Sequence, residues 1–541
     1  MRAAGLGLCL VLLTGFGGGA EGPVAPLFDD LGDHHLAISS DVPLAQRYFD
    51  QGLTLTYAFN HREAIRSFRE AARLDPECAI CWWGVALAYG PNINEPMPAS
   101  AVPLAWEALQ QAEHLAVHAS ERERAYIAAL SPRYAATPVA DRSGLDRAYA
   151  DAMRQLVARY PDDLDATTLF AEALMDLSPW SYWTASGEAR PGTAELVAAL
   201  ERVLAGDQTH PGANHYYIHA MEASRQPERA LPAARRLGAL VPGSGHLVHM
   251  PAHIYLRLGL YHDAVLANQA AIRADESYVA QSQAQGTYPA LYYPHNVHFL
   301  WYALAMEGQS AEAVKAAWKA VAIVREHAAH ATQMAAHSEW ILAVPYQALL
   351  RFGKWRELLE TPAPATPSPY VMAMWRFARG FALVRLGDVV KAGRELDAVQ
   401  AALAGADPEL QDDPMFPRRI VLRIAERILA AEIAAARGDL GMRLEGLREA
   451  LSLEDSLPYM EPPFSYLPTR HLLGKALLEA GRREEAAAVY REDLRRHPHN
   501  GWALRGLLQS LQALGAETSD VRARLEAAWR HADVTPPGSA Y

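Results

Sequence analysis

Residues 45–78 read AQRYFDQGLTLTYAFNHREAIRSFREAARLDPEC, and residues 467–500 read LPTRHLLGKALLEAGRREEAAAVYREDLRRHPHN. In the first stretch Gly52, Ala64, Phe68, Ala71 and Pro76 stand 12, 4, 3 and 5 residues apart. In the second, Gly474, Ala486, Tyr490 and Pro498 repeat the 12, 4 and 8 spacing of Gly52, Ala64, Phe68 and Pro76. Each position has a task in an antiparallel helix pair. Small residues let the helices approach, the aromatic fills the groove between them, and proline ends the second helix. The segment after Pro76 opens the next unit with Trp82, Ala86 and Tyr89 at large–small–large helical spacing. The pattern predicts an all-α fold of stacked helix pairs.

These residues resemble the tetratricopeptide repeat family, whose unit is a 34-residue helix–turn–helix. The strong matches are 45–78, 211–244, 245–278, 373–406, 467–500 and the start of 501–534. The resemblance implies a right-handed superhelical solenoid with a concave inner surface, spanning 45–534 behind a lead-in at 21–44. It is specific for fold and nearly silent on function. Proline- and glycine-rich breaks fall at 90–100, 178–192 and 279–293. A Pro/Ala/Thr linker at 361–369 reads as a hinge inside one continuous array, and the tail 535–541 reads as disordered.

Composition agrees with helix: half of the 541 residues are apolar and 21% are charged. The net charge of −12 argues against a general nucleic-acid partner, which would need a basic surface. At the N-terminus Arg2 precedes an apolar stretch from Ala3 to Phe16 that ends in Gly17, Gly18, Gly19 and Ala20. That order predicts a secretory signal over 1–20, hence a periplasmic or secreted protein with no transmembrane segment after cleavage. Cys9 lies inside the apolar core of that segment, so a lipid anchor there is disfavoured. Cys78 and Cys81 form the remaining CxxC, which in an oxidising compartment favours a local disulfide over free thiols or a metal.

Function concentrates in the middle of the chain. Eight of the 21 histidines fall between His215 and His298, where an even spread would put about three. On helices, spacings of 3, 4 and 7 return to one face. His215, His219 and Glu222 therefore make one stripe, His246, His249 and His253 a second, and His295, His298 and Tyr302 a third. His215 to His249 and His219 to His253 are each one 34-residue unit, while aligning on Pro211 and Pro242 instead matches His215 with His246 and Glu222 with His253. His246 to His295, His249 to His298 and Gly259 to Gly308 share a 49-residue offset, one unit plus a 15-residue insertion. All three stripes fall on first helices, whose matching face lines the concave surface in the family this chain resembles.

The stripes within 210–302 predict a transition-metal site. Imidazole suits copper, zinc, iron and nickel, and Met221 and Met250 nearby tilt the choice toward copper. The expected ligands are His215, His219, His246, His249, His253, His295 and His298. Glu222 is the carboxylate placed to ligate or to act as general base. Tyr293 and Tyr302 are placed to donate a proton or hydrogen bond, and His337 reads as a rim residue. No HExxH helix is present, which excludes the standard zinc-protease motif. The expected function is a metal-dependent enzyme, an oxidoreductase before a hydrolase, acting on a small molecule or peptide in the groove. The alternatives are a scaffold for peptides or envelope proteins, with the histidines as ordinary groove contacts, and metal storage or delivery.

Overall fold

Phe68 is wedged between two glycines. A Cβ at Gly52 would lie 2.7 Å from its ring and one at Gly84 2.5 Å, so the aromatic fills space that only hydrogen leaves free. Tyr490 occupies the same notch between Gly474 and Gly506, at 2.3 and 2.2 Å. The repeated glycine–aromatic spacing is thus a packing unit: the ring of a second helix locks two successive first helices together.

This structure, a computed structural model, describes residues 24–541 apart from 185–186, 283–286, 328–334, 366–367, 406, 408–409, 411, 413–415 and 465–466, with only the backbone of 335–338 described. The signal expected at 1–20 and the side chain of His337 lie outside these residues. The described chain forms twenty-five α-helices from Pro43–Tyr57 to Ser519–Ala528. Isolated bridges at Asn92–Glu95 and Trp183–Ala189 stand in place of any sheet among the described residues. No described helix is long and apolar enough to cross a membrane. Helix pairs such as Pro43–Tyr57 with His61–Leu74, and Thr469–Glu479 with Arg483–Arg496, stack in sequence order. Cys78 and Cys81 are joined by a disulfide at the start of the Ala79–Ala88 helix.

Two apolar cores run along the chain, one built from Ala25 to Tyr292 and the other from Ala252 to Ala540. They meet at the helices that carry the histidines. Both ends of the array also return to this seam. From the N-terminal side, Tyr278 donates to Asn60 and Glu63, each at 3.4 Å, and Asn94 donates to Tyr292 at 3.3 Å. From the C-terminal side, Trp502 donates to the Ala305 carbonyl at 2.9 Å, and Asp533 caps the Ser310–His327 helix through Ser310 N and Ala311 N at 2.6 and 2.9 Å.

Two expectations change here. The tail 535–541 is docked: Ser539 is buried and bonds both Tyr490 and the His471 carbonyl, so the chain end completes a core. The concave face is also closed. His215, His219, His246, His249 and His253 are each at most 2% exposed, because the returning ends cover the surface expected to be open.

Candidate metal centre

Four helices carry the histidines. Pro211–Glu222 holds His215 and His219; Gly245–His249 holds His246 and His249; Pro251–Leu258 holds His253; Tyr293–Glu307 holds His295. Pro251 cannot donate a backbone hydrogen bond, so the second stripe is split at Met250 into two short helices. A single π-helical turn, Tyr288–Tyr292, feeds the last helix. Gly259 and Gly308 end their helices at φ of 71° and 79°, a conformation that favours glycine; this is why the 49-residue offset carries a glycine with it.

The side chains form two adjoining sets. His215, His219 and His246 bring their ligand atoms within 4.8 Å of one another, and so do His249, His253 and His295. The sets touch through the His219–His253 rings at 5.5 Å and the His246–His249 rings at 6.0 Å.

The outward nitrogens fix the tautomers. His215 Nδ1 donates to the Tyr57 carbonyl at 2.6 Å, His219 Nδ1 to Glu222 Oε1 at 2.7 Å, and His253 Nδ1 to Glu222 Oε2 at 2.6 Å. His249 Nδ1 donates to Asn268 Oδ1 at 2.7 Å; Asn268 is oriented by its own donation to the Ala264 carbonyl, also at 2.7 Å. With the proton on Nδ1, Nε2 presents a bare lone pair. Yet His249 Nε2 and His253 Nε2 face each other at 3.0 Å, and His215 Nε2 and His246 Nε2 at 3.1 Å. His219 Nε2 and His246 Nδ1 are buried without a hydrogen-bond partner. The His249–His253 pair has no proton to share in the neutral state. Burial, helped by the neighbouring histidines, pulls His215, His246 and His249 well below the ordinary imidazole value, so an extra proton on those three rings is disfavoured. A metal cation satisfies this arrangement: two nitrogens bound at ~2.0 Å to one tetrahedral ion lie about 3.3 Å apart.

Glu222 ties the sets together, since one oxygen holds a histidine of each. Burial works against its charge, but the His253 and His219 interactions outweigh it and hold its pKa below the usual carboxylate range. Glu461, 3.6 Å from His253 Nδ1, goes the other way: burial and the Glu222 charge push it up. Tyr459 from the same loop donates to Glu222 at 3.3 Å, and Arg257 donates to the Glu222 carbonyl.

Aromatic rings close the remaining faces. Phe59 lies 4.6 Å from His215, 5.8 Å from His246 and 6.0 Å from His219, and Trp180 lies 5.1 Å from His219. Phe299 sits among His249, His253 and His295 at 4.5, 4.5 and 4.8 Å. Phe59 and Trp180 are two of the three described non-glycine residues with positive φ, at 56° and 61°. That backbone strain costs about 1–2 kcal/mol each and is retained where the rings meet the histidines.

No family model and no curated protein matches the chain. Among solved structures it is similar to human IFIT1 with m7Gppp-AAAA, at 11% identity over 91% of this chain and 90% of that one, TM-score 0.32. It is also similar to yeast Tom70, at 12% over 91% and 92%, TM-score 0.28, and to the TPR domain of P58(IPK), at 13% over 87% and 98%, TM-score 0.22. At these scores the helix pairs of the chain itself define its fold. The chain is a tetratricopeptide-like solenoid.

Within this solenoid six of the seven expected ligands come together. His298 does not: its ring stacks on Trp301 at 5.8 Å and meets Trp340 at 5.7 Å, away from both sets. Three residues along a helix leave a 60° difference in direction, and only His295 faces His249 and His253. Glu222 supports the histidines from behind, since both its oxygens take Nδ1 protons. Tyr293 points to Glu276 at 3.0 Å, and Tyr302 packs by Trp301; the tyrosine rings beside His246 are Tyr292, at 4.7 Å, and Tyr288, whose hydroxyl accepts the His246 N–H at 3.0 Å. Sequence reasoning missed Phe59, Asn268, Phe299, Tyr459 and Glu461. Only Phe299, four residues from His295, carried a local signal.

A second histidine cluster shows what a satisfied network looks like. Asp165 Oδ1 accepts from Tyr57 OH at 2.7 Å and His34 Nε2 at 2.9 Å and lies 3.3 Å from His210 Nε2, while His210 Nδ1 accepts from Ala213 N at 3.2 Å. Donors alternate with acceptors there.

Proposed function

We propose that this chain is a transition-metal protein that binds ions through two adjoining three-histidine sets, and that it works as a metal-dependent oxidoreductase. The carrying observation is the His249–His253 pair: two Nε2 lone pairs at 3.0 Å, each with its proton committed to the far side of the ring. Copper and zinc are the ions such an all-nitrogen set favours, and hard ions that want oxygen ligands are disfavoured. Hydrolysis is the weaker reading, because a metal-bound water needs a base and Glu222 already spends both oxygens on histidines. Burial likewise speaks against the histidines as contacts of a peptide groove. Export into an oxidising compartment is part of the proposal, supported by the Arg2–Ala20 pattern and the Cys78–Cys81 disulfide.

Elemental analysis of the full chain, purified without a histidine tag, tests the reading. The expected result is two ions per chain, one lost in His219→Ala and the other in His253→Ala, with helix content retained. Metal-free protein that takes up no copper or zinc on reconstitution would sink the proposal.

A further inference from the structure

We propose that the two histidine sets hold a pair of copper(I) ions that is oxidised as one unit by dioxygen. This rests on the metal-binding reading above and goes beyond it in naming the ion's charge state, the coupling of the sites and the co-substrate.

Charge comes first. Six imidazoles add none, and the carboxyls that reach the cluster are Glu222 and Glu461, which supply at most two negative charges. The Arg257 guanidinium beside Glu222 takes one of these back. Two divalent ions would leave a net charge of at least three in a buried site, whereas two monovalent ions leave at least one, so the monovalent pair is the better-matched resting state. Copper is the transition ion among the candidates with a stable monovalent state, and three nitrogen donors per ion suit it.

Proximity comes second. The two sets share Glu222, and rings from opposite sets approach to 5.5 and 6.0 Å. Each ion gives one electron, so the pair can deliver two together.

Space comes third. Phe59, Trp180 and Phe299 lie against the histidines, so the cover is apolar. Five of the six histidines are at most 2% exposed. An oxidant that passes this cover is small and apolar, and dioxygen is both. In the balanced step two copper(I) ions become two copper(II), dioxygen accepts the two electrons, and with two solvent protons it leaves as hydrogen peroxide.

The test loads tag-free full-length protein with copper(I) under anaerobic conditions and then admits dioxygen. The expected result is two copper ions per chain, one dioxygen consumed per chain, and a copper(II) resonance signal well below that of two isolated ions because the spins couple. In His295→Ala, which changes the least buried ligand, one copper should remain, reduction of dioxygen to peroxide should be lost, and ferricyanide, a one-electron oxidant, should bring out a full isolated-ion signal. Two coppers that bind but consume no dioxygen, or that give two isolated signals, overturn this inference while leaving the metal-binding reading standing. Zinc taken up at two per chain with copper(I) refused also overturns it. Failure to bind any metal overturns the reading beneath it.

Discussion

Replacing Glu222 by glutamine should disable one metal site and spare the other. The carboxylate accepts His219 Nδ1–H at 2.7 Å and His253 Nδ1–H at 2.6 Å, one bond into each histidine set. Glutamine keeps one acceptor oxygen and turns an NH₂ donor toward the second histidine. That histidine then faces donor against donor, and its cheapest escape is to move its proton to Nε2, where the ion would bind. Loss of a supporting partner of this kind weakens metal affinity by about 10- to 100-fold, or about 1.4–2.7 kcal/mol. The other histidine keeps a neutral hydrogen bond in place of a charge-assisted one and loses less. Chelator competition on Glu222→Gln should therefore show one site weakened well beyond the other, relative to the parent chain. In Glu222→Ala both Nδ1–H groups lose their acceptor and both sites should weaken. If Glu222→Gln binds both ions as the parent does, the carboxylate does not orient the histidines, and the lone-pair argument for the centre fails with it.

Phe59→Gly removes the ring over the first set and releases about 1–2 kcal/mol of left-handed backbone strain; a chelator should strip that ion faster with helix content unchanged, and an unchanged rate would end the case for Phe59 as a cover. Gly474→Ala puts a Cβ 2.3 Å from Tyr490, whose hydroxyl is anchored by Ser539, so denaturant unfolding should show a loss of about 1–3 kcal/mol. His298, lowered by burial to about 3, binds fewer protons folded than unfolded between that value and about 6.5. Its contribution is present above about 6.5 and falls as the pH drops, by up to about 1.4 kcal/mol per pH unit, so His298→Phe should flatten the acid limb of a stability–pH profile.

The fold was legible because its signal is local. Gly52 with Phe68 and Gly474 with Tyr490 each sit inside one unit, and the packing they encode is read at fixed intervals without knowing what lies across the molecule. The same holds for the first two histidine stripes, whose face follows from helix periodicity, whereas of the third only His295 joins a set. Tertiary closure had no such signal. That Tyr57 lends its carbonyl to His215 across 158 residues, or that Tyr459 reaches Glu222 across 237, depends on how tightly the superhelix winds. A small change in rotation per unit, summed over the array, decides whether the ends meet the middle. The docked tail follows from the same closure, since Ser539 has a buried place only once Tyr490 and His471 are there to receive it.

Closure also explains why the site takes this form. An open solenoid face presents histidines to water, where each ring finds its own partners and an ion competes with solvent. Once both ends fold over the seam between the two cores, water is excluded and the outward nitrogens depend on protein for their partners. Tyr57, Glu222 and Asn268 supply those matches from three different parts of the array, and each match turns a lone pair inward. What is satisfied on the outside of the ring is therefore unsatisfied on the inside, by about 1–3 kcal/mol for each buried group left alone. A cation at the centre of each set removes that penalty, so metal and closure should stabilise each other. Stripping the metal should accordingly loosen the contacts of the Tyr459–Glu461 loop with Glu222 and Arg257 before it unfolds the helix pairs, and hydrogen exchange on apo and loaded protein would show it. Equal protection of that loop in both forms would separate the two and leave closure to the apolar cores alone.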